Sequence, residues 1–174
     1  MEKITKTLIT EEVIKEKVAQ LGAQITRDYQ GKEPYVVCIL KGSLVFFADL
    51  IRKIDLPIKV DTMVVSSYGE STVSSGNVRI KKDLYEDIVG KDVLIVEDII
   101  DSGHTLSSLS RVLKERKPNS LKVATLLDKP SRRKIDFHGD YVGFEIPDEF
   151  VIGYGLDYAE RYRNLPYVGV LSLD

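Results

Sequence analysis

The chain contains few of the residues that bind soft metals or form disulfides: its 174 residues include one cysteine, two histidines and no tryptophan. A single cysteine excludes an intrachain disulfide, and the apolar run around Cys38 favours a buried structural thiol over a catalytic one. A zinc site is not expected from so few thiols and imidazoles. Magnesium, which prefers oxygen ligands, is not excluded.

Apolar runs long enough to span a membrane are also missing, and so is a large excess of charge. The N-terminus lacks the apolar segment of a signal peptide, so the sequence predicts a cytoplasmic protein with no membrane partner. A net charge of −2 predicts no general attraction to nucleic acid, and any anion site must therefore be built locally. Length and composition are typical of one globular domain spanning residues 1–174.

Strands and helices alternate along much of the chain. The apolar faces of the first two helices are predicted to consist of Val13, Ile14, Val18, Leu21 and Ile25, after an N-cap at Thr10, and of Leu44, Phe47, Ala48, Leu50 and Ile51. Strands are predicted at 36–40, 58–67, 93–96 and 120–127, and a third helix at 105–117. Such alternation requires crossover connections, so it predicts an α/β fold with a central, mostly parallel sheet flanked by helices.

Two regions depart from this alternation. The serine- and glycine-rich segment 66–82 is interpreted as a flexible two-stranded flap, although composition alone favours a plain solvated hairpin. The part from Tyr141 to the C-terminus has short strands separated by Pro147 and glycines, and it is predicted to form a small cap together with the N-terminal segment.

The most informative segment is 93–106, with the sequence VLIVEDIIDSGHTL. It begins as a buried strand and ends in a small-residue turn that opens a helix. Backbone N–H groups and the helix dipole favour a phosphate at such a junction. Ser102 and Thr105 can add hydroxyl donors, and Gly103 permits close approach of the backbone to a ligand.

Two adjacent acids, Glu97 and Asp98, refine this interpretation. Carboxylates beside a phosphate cradle would repel the phosphate, so they must face sugar hydroxyls or a magnesium shell; a sugar phosphate satisfies both halves of the segment. Neither the P-loop pattern nor the G-x-G-x-x-G dinucleotide turn is present. The structural alternative is an acidic strand end followed by an ordinary capped helix.

The pattern Glu-Asp-x-x-Asp-Ser-Gly-x-Thr after an apolar strand resembles the phosphoribosyl-pyrophosphate (PRPP) signature of the type I phosphoribosyltransferases, which have a Rossmann-like fold with a cap, or hood, and a flap. Over nearly the whole chain the resemblance narrows to the members that act on hypoxanthine and guanine. The segments that carry it are 40–42, 66–69, 93–106, 128–133, 142–148 and 155–158. It implies purine salvage, in which Mg²⁺-dependent transfer of 5-phosphoribosyl from PRPP to a 6-oxopurine gives IMP or GMP and pyrophosphate.

The resemblance also implies roles for single residues. The general acid/base beside N7 of the purine is Asp101, and the Leu40–Lys41 bond is one that is often cis in the family. The residues implied to bind ribose and phosphate are Glu97, Asp98, Asp101, Ser102, Gly103, His104 (through its backbone N–H) and Thr105. Those implied for pyrophosphate are Lys41, Gly42 and Arg163, and those for the purine are Lys129, Phe150, Val151 and Asp157. Magnesium would be held by Glu97, Asp98 and Asp157, and the lid would contain Ser67 and Tyr68.

Several of these residues have simpler explanations. Lys41 alone is equally typical of a helix start, Asp101 also suits an N-cap, and Phe150 alone would more often belong to a core. Arg133 is a weaker candidate for pyrophosphate binding, because Arg132-Arg133-Lys134 also has the composition of a solvated basic run.

Two other functions remain open at this point. One is a phosphoribosyltransferase that prefers xanthine, because Lys129 and Phe150 do not distinguish among 6-oxopurines. The other is a PRPP-sensing regulator that binds nucleic acid, although the slightly negative charge and the absence of room for a DNA-binding domain before the first helix argue against it. The family also implies a homodimer or homotetramer, with PRPP and a purine base as the small-molecule partners.

Overall fold

Strands and helices alternate through most of the computed structural model, which describes residues 2–67 and 78–174. In chain order the elements are β1 (Lys3–Ile9), α1 (Glu11–Asp28), β2 (Tyr35–Leu40), α2 (Leu44–Ile51), β3 (Lys59–Ser67), β4 (Val78–Lys82), β5 (Asp92–Ile100), α3 (His104–Glu115), β6 (Ser120–Asp128), a 3₁₀ turn (Pro130–Arg132), β7 (Tyr141–Glu145), β8 (Val151–Ile152) and β9 (Val168–Ser172).

The main sheet has six strands in the order β4-β3-β2-β5-β6-β7, and every neighbouring pair is parallel except β3 and β4. Both faces of its central strands are buried. Val36 and Cys38 of β2 pack in the core beneath α1 and α2, whereas Val37 and Ile39 pack in the core beneath α3. Burial on both faces explains why β2 and the start of β5 are continuous apolar runs. The predicted α/β class and type of sheet are confirmed.

Helix α1 begins after Thr10, whose hydroxyl accepts a hydrogen bond from the backbone N–H of Val13 at 3.3 Å. The predicted apolar face is correct for Ile14 and the residues that follow it, but wrong for Val13, which is 46 % exposed. Val13 immediately precedes Ile14, and neighbouring side chains of a helix point in directions about 100° apart, so the two need not share a face.

Helix α2 also differs from its prediction. Leu44 and Ala48 are exposed, whereas Phe46, which was not predicted, is fully buried beside Phe47 and Leu50. The helix is only eight residues long and apolar on most sides, so the hydrophobic pattern cannot indicate which side faces the sheet.

Strand β5 is longer than predicted. It continues past Val96 to Ile100, and Glu97, Ile99 and Ile100 still pair with residues of β6. The apolar run predicted a strand end at Val96, but the neighbouring strand extends to Asp128 and supplies the extra pairing. The two acids therefore lie within a strand rather than in the turn.

A second sheet forms beside the main one, in the order β1-β9-β8 with antiparallel pairing. It joins the N-terminal strand to two C-terminal strands, which belong to the two parts of the chain that the sequence assigned to the cap. The prediction was wrong for β7, which was assigned to the cap but is the edge strand of the main sheet, parallel to β6.

The predicted flap begins as an antiparallel pair, since β3 and β4 are hydrogen-bonded up to Ser67 and Val78. The predicted lid residue Tyr68 and the tip of the flap lie outside the described residues. Within the described ranges, none of the helices combines the length and the apolar character that crossing a bilayer requires.

Neighbouring residues of α1 test the corrected helix face. Ile14 is 1 % exposed, so Ile14→Ala is expected to lower the free energy of unfolding by about 2–5 kcal/mol. Val13→Ala, at the exposed position, is expected to change it by no more than about 0.5 kcal/mol. Urea denaturation of both variants provides the measurement, and equal losses would contradict the assigned face.

Candidate active site at the carboxyl edge of the main sheet

Three loops meet where β2, β5 and β6 end, as the sequence predicts for parallel strands. The contact is tightest at Gly42, where an added Cβ atom would lie 1.8 Å from Oδ2 of Asp98. On the other side, a Cβ on Gly155 would lie 2.4 Å from the carbonyl oxygen of Gly42. The Leu40–Lys41 peptide bond is cis, as the resemblance implied. Glycine is required at position 42 because the carboxylate of Asp98 occupies the space of a side chain, and at position 155 because the backbone of Gly42 does.

The loop after β5 has the geometry of an anion cradle. Gly103 adopts a left-handed conformation (φ 88°) immediately before α3, and the N–H of His104 lies 3.4 Å from Oγ of Ser102. A cavity of about 160 Å³ is lined by residues 97–103, 105 and 106. The predicted phosphate-binding residues Ser102, Gly103 and Thr105 are therefore brought together around one cavity at a helix N-terminus.

The adjacent acids Glu97 and Asp98 are partly buried at this cavity. Oε1 of Glu97 accepts a hydrogen bond from the N–H of Asp98 at 2.9 Å, and Oδ1 of Asp98 accepts one from the N–H of Ile99 at 2.7 Å. Loss of hydration and the negative charge of Asp98 raise the pKa of Glu97 well above its ordinary value, and burial raises the pKa of Asp98. Two such neighbours keep their charge at low cost only beside a cation or many hydroxyl donors.

A larger cavity of about 530 Å³ adjoins the first. Its lining unites the four predicted purine-binding residues with the predicted acid/base, namely Lys129, Phe150, Val151, Asp157 and Asp101. The ring of Phe150 is 47 % exposed and meets Tyr158 edge to face, with 5.7 Å between ring centroids. Lys129 is 7 % exposed. An open aromatic face and a buried ammonium thus line the same space.

Sequence reasoning missed an ion-pair network that crosses this cavity. Nε of Arg132 lies 3.1 Å from Oδ1 of Asp101, and its NH1 lies 3.6 Å from Oδ2 of Asp148. Nζ of Lys129 lies 3.9 Å from the other oxygen of Asp148. The sequence placed Arg132 in a solvated basic run, and nothing in its spacing indicated a partner 31 residues away.

Glu160 is a second residue that the sequence did not single out. It accepts a hydrogen bond from Nζ of Lys41 at 2.6 Å and lies 3.3 Å from NH2 of Arg163. The bond from Lys41 holds the pKa of Glu160 below its ordinary value. Arg163 also lies 3.3 Å from Asp157 and donates to the carbonyl oxygen of Gly155 at 2.8 Å. The predicted pyrophosphate residues Lys41 and Arg163 therefore converge on one carboxylate.

The predicted magnesium ligands do not form a closed cluster. In the ranges 2–67 and 78–174, no three His, Cys, Asp or Glu side chains come close enough together to hold a metal. Asp98 and Asp157 line the larger cavity, whereas Glu97 faces the smaller one. This donor set fits magnesium, which usually keeps only one or two carboxylates and takes its other oxygens from water and substrate phosphates.

Comparison with known proteins agrees with this geometry. A family model described as "Phosphoribosyl transferase domain" matches residues 6–159. The chain belongs to the phosphoribosyltransferase family. This transferase is 60 % identical over 169 residues to hypoxanthine-guanine phosphoribosyltransferase of Bacillus subtilis, covering 97 % of this chain and 94 % of that protein.

Other relatives carry the same name. The corresponding Streptococcus thermophilus protein is 55 % identical over 169 residues, again with 97 % of this phosphoribosyltransferase and 94 % of the relative covered. A crystal structure of hypoxanthine phosphoribosyltransferase from Staphylococcus aureus superposes with a TM-score of 0.94 at 56 % identity, covering 97 % of this chain and 92 % of that one. The predicted type I phosphoribosyltransferase fold is confirmed.

The acidic pair gives a pH-dependent prediction. The pKa of Glu97 is higher in the folded protein than in the unfolded chain. The free energy of unfolding therefore falls as the pH rises from the unfolded-state pKa through the folded-state pKa. Glu97→Gln removes this loss, so in EDTA at pH 8 the variant should melt above the parent by about 2–4 °C for each kcal/mol recovered. The gain should shrink towards pH 4, where both states are protonated.

Thermal unfolding at both pH values, with Glu16→Gln on the exposed face of α1 as the matched control, provides the measurement. A Glu97→Gln variant that melts below the parent at pH 8 would contradict the assigned direction of the pKa.

Proposed function

We propose that this phosphoribosyltransferase acts in purine salvage, transferring 5-phosphoribosyl from PRPP to hypoxanthine or guanine and producing IMP or GMP with pyrophosphate. The observation that carries the proposal is the shared cavity of Lys129, Phe150 and Asp101 beside the anion cradle. That cavity offers a donor, an aromatic face and a carboxylate next to a place for a phosphate. Relatives named for hypoxanthine and guanine favour these bases over a xanthine preference or a regulatory role.

Each half of the site would hold one part of the substrates. The N–H groups of the loop from Ser102 to Thr105 would bind the 5-phosphate, and Glu97 and Asp98 would accept hydrogen bonds from the ribose hydroxyls. Lys41 and Arg163, with the backbone of Gly42, would hold the pyrophosphate. Bound Mg²⁺ would neutralise charge on the pyrophosphate, with Asp157 and the acidic pair as its protein oxygen ligands.

Base recognition would use Lys129 as the donor to O6 of the purine. An ammonium cannot accept a hydrogen bond, so an adenine amino group at that position would face another donor. Phe150 would stack on the ring, and backbone groups of Val151 would contact its edge.

The chemical step requires one proton transfer. As the C1′–oxygen bond of PRPP breaks and pyrophosphate leaves with the electron pair, a purine nitrogen forms the new bond to C1′. Asp101 would accept the proton that the purine gives up at N7. The ion pair with Arg132 engages Oδ1 of this carboxylate. Closure of the lid that begins at Ser67 would keep water from the electron-deficient ribose.

We further propose that the protein works as one domain in the cytoplasm and as a homodimer or homotetramer, on the strength of the family resemblance.

The direct test is a spectrophotometric assay of the purified protein with Mg²⁺ and PRPP, offering hypoxanthine, guanine, xanthine and adenine in turn. Nucleotide should form from hypoxanthine or guanine but not from adenine. Turnover of xanthine alone would contradict the proposed substrates and would show a xanthine-preferring enzyme. Binding of PRPP without turnover of any base would favour the regulatory function instead.

Asp101→Asn separates chemistry from binding. The amide keeps the size of the side chain but cannot accept the proton, so kcat should fall by about 10²–10⁴-fold while the Kd for PRPP stays nearly unchanged. Stopped-flow turnover and calorimetry with PRPP measure the two quantities. Lys129→Ala is the contrasting variant, because it should weaken the use of 6-oxopurines more than PRPP binding. Equal losses of turnover and PRPP affinity in Asp101→Asn would make Asp101 a structural residue.

Glu160→Gln tests the cations at the pyrophosphate end. Removing the carboxylate that neutralises Lys41 and Arg163 should tighten binding of magnesium pyrophosphate about two- to fivefold, a gain that high salt should diminish. Calorimetry at low and high salt measures the effect, with Glu16→Gln as the control. Unchanged or weaker binding would mean that these two cations do not hold the anion.

A further inference from the structure

The loop after β5 is held from behind by a single segment, residues 129–135. The carbonyl oxygen of Ile100 accepts a hydrogen bond from the N–H of Lys129 at 2.9 Å. That of Asp101 accepts one from NH1 of Arg133 at 2.7 Å. The carbonyl oxygen of Ser102 accepts two hydrogen bonds, from the backbone N–H of Lys134 at 2.9 Å and from that of residue 135 at 3.3 Å. Three consecutive carbonyls of the anion cradle therefore have partners in one segment.

Arg133 makes the only side-chain contact in this set and is nearly buried, with 11 % of its side chain exposed. Its second nitrogen, NH2, donates to the carboxylate of Asp128, which is 8 % exposed. The aliphatic part of Arg133 lies against the next turn, because a Cβ on Gly103 would approach its Cδ to 3.2 Å. The guanidinium thus joins the end of β6 to the loop after β5, which requires two donors at a fixed separation.

This geometry turns the N–H groups of the loop in one direction. In a trans peptide the C=O and the following N–H lie in one plane and point in opposite directions, and these peptides are trans. Holding the carbonyls of Ile100, Asp101 and Ser102 from behind therefore aims the next three N–H groups the other way. The cavity of about 160 Å³ is lined by the loop itself, through residues 97–103, 105 and 106, and not by residues 133–135.

We propose that Arg133 is a positioning residue for the phosphate-binding loop, holding the carbonyl of Asp101 away from the bound 5-phosphate so that the loop presents donors only. The proposal rests on the proposed function. Without the guanidinium, a free carbonyl dipole could rotate towards the phosphate and repel it. Both terminal nitrogens of Arg133 are engaged, by the carbonyl of Asp101 and the carboxylate of Asp128, which leaves the residue unsuited to the pyrophosphate role weighed from the sequence.

The same segment begins at Lys129, which carries the predicted donor to the purine. Its backbone N–H bonds to Ile100 and its side chain lines the larger cavity. Loss of the Arg133 guanidinium leaves that backbone bond intact. The effect of substitution should therefore fall on phosphate binding rather than on the base.

Arg133→Lys and Arg133→Gln test the proposal, with Arg111→Gln on the exposed face of α3 as the matched control. Lysine keeps the positive charge but cannot bond to both the Asp101 carbonyl and the Asp128 carboxylate. Glutamine has neither the charge nor the two-armed geometry of the guanidinium. Calorimetry should show Kd values for PRPP with Mg²⁺ raised about tenfold or more in both variants, the loss expected for a hydrogen bond to a charged group. The KM for hypoxanthine at saturating PRPP should stay within twofold of that of the parent.

Parent-like PRPP affinity in either folded variant would overturn the proposal. Equal weakening for PRPP and hypoxanthine, together with a lower melting temperature, would also overturn it, because it would indicate a general structural role. If Arg133→Gln does not fold, Arg133→Lys decides the question through the same pair of measurements. Should neither fold, parent-like amide hydrogen exchange at residues 101–105 in Asp128→Asn, which removes the anionic partner, would overturn the proposal, and faster exchange there would support it.

Inorganic phosphate separates this proposal from the proposed function. A parent protein that binds phosphate but not PRPP would overturn the proposed function alone, and weaker phosphate binding in Arg133→Gln would still support the positioning role. A parent that binds neither ligand would overturn both.

Discussion

Parallel pairing of β5 with β2 on one side and β6 on the other is the interaction on which the site depends. Because the three strands run in the same direction, the loops that follow them meet at one edge. Residues far apart in the chain, such as Gly42 and Asp98, are then so close that a side chain at position 42 would collide with the carboxylate of Asp98. The cores on both faces of the sheet hold this arrangement in place.

The candidate site places two carboxylates close to where phosphate groups would bind, although the two kinds of group repel each other. Glu97 and Asp98 are adjacent in a strand, where successive side chains point to opposite faces, and of these two acids Asp98 lines both cavities whereas Glu97 lines the smaller one. Both carboxylates nevertheless line the cavity that the turn residues Ser102 and Thr105 also line. Their raised pKa values mean that a cation or a sugar bound beside them lets both acids ionise at lower cost, so the acidic pair favours a ligand that brings both.

The candidate functional side chains are paired with one another. Asp101 is bonded to Arg132, Lys129 lies near Asp148, and Lys41 and Arg163 share Glu160. These pairs are mostly exposed, and pairs of that kind contribute little to stability. In the proposed reaction, phosphates and a purine could therefore replace them at low cost, while the buried Arg133–Asp128 pair behind the loop would remain.

The amino-acid sequence was sufficient to predict the α/β class, and the candidate phosphate motif could be proposed from it, for a local reason. Residues 93–106 form one continuous strand, turn and helix, so their chemistry is readable without knowing what packs against them. Resemblance to a family added distant residues such as Lys129 and Phe150, and the structure brings both into the cavity that Asp101 lines. Helix starts and β-branched strands were also predictable, since Thr10 and the apolar run of β2 act locally.

Packing settled what local patterns leave open. The exposed position of Val13, the place of β7 in the main sheet and the extension of β5 through Glu97 each depend on a neighbouring element. Arg132 and Arg133 are adjacent in one basic run, yet one lies at the cavity mouth and the other behind the loop. Their different roles follow from which carbonyl or carboxylate each meets across the fold, and such contacts exist only once the chain has folded.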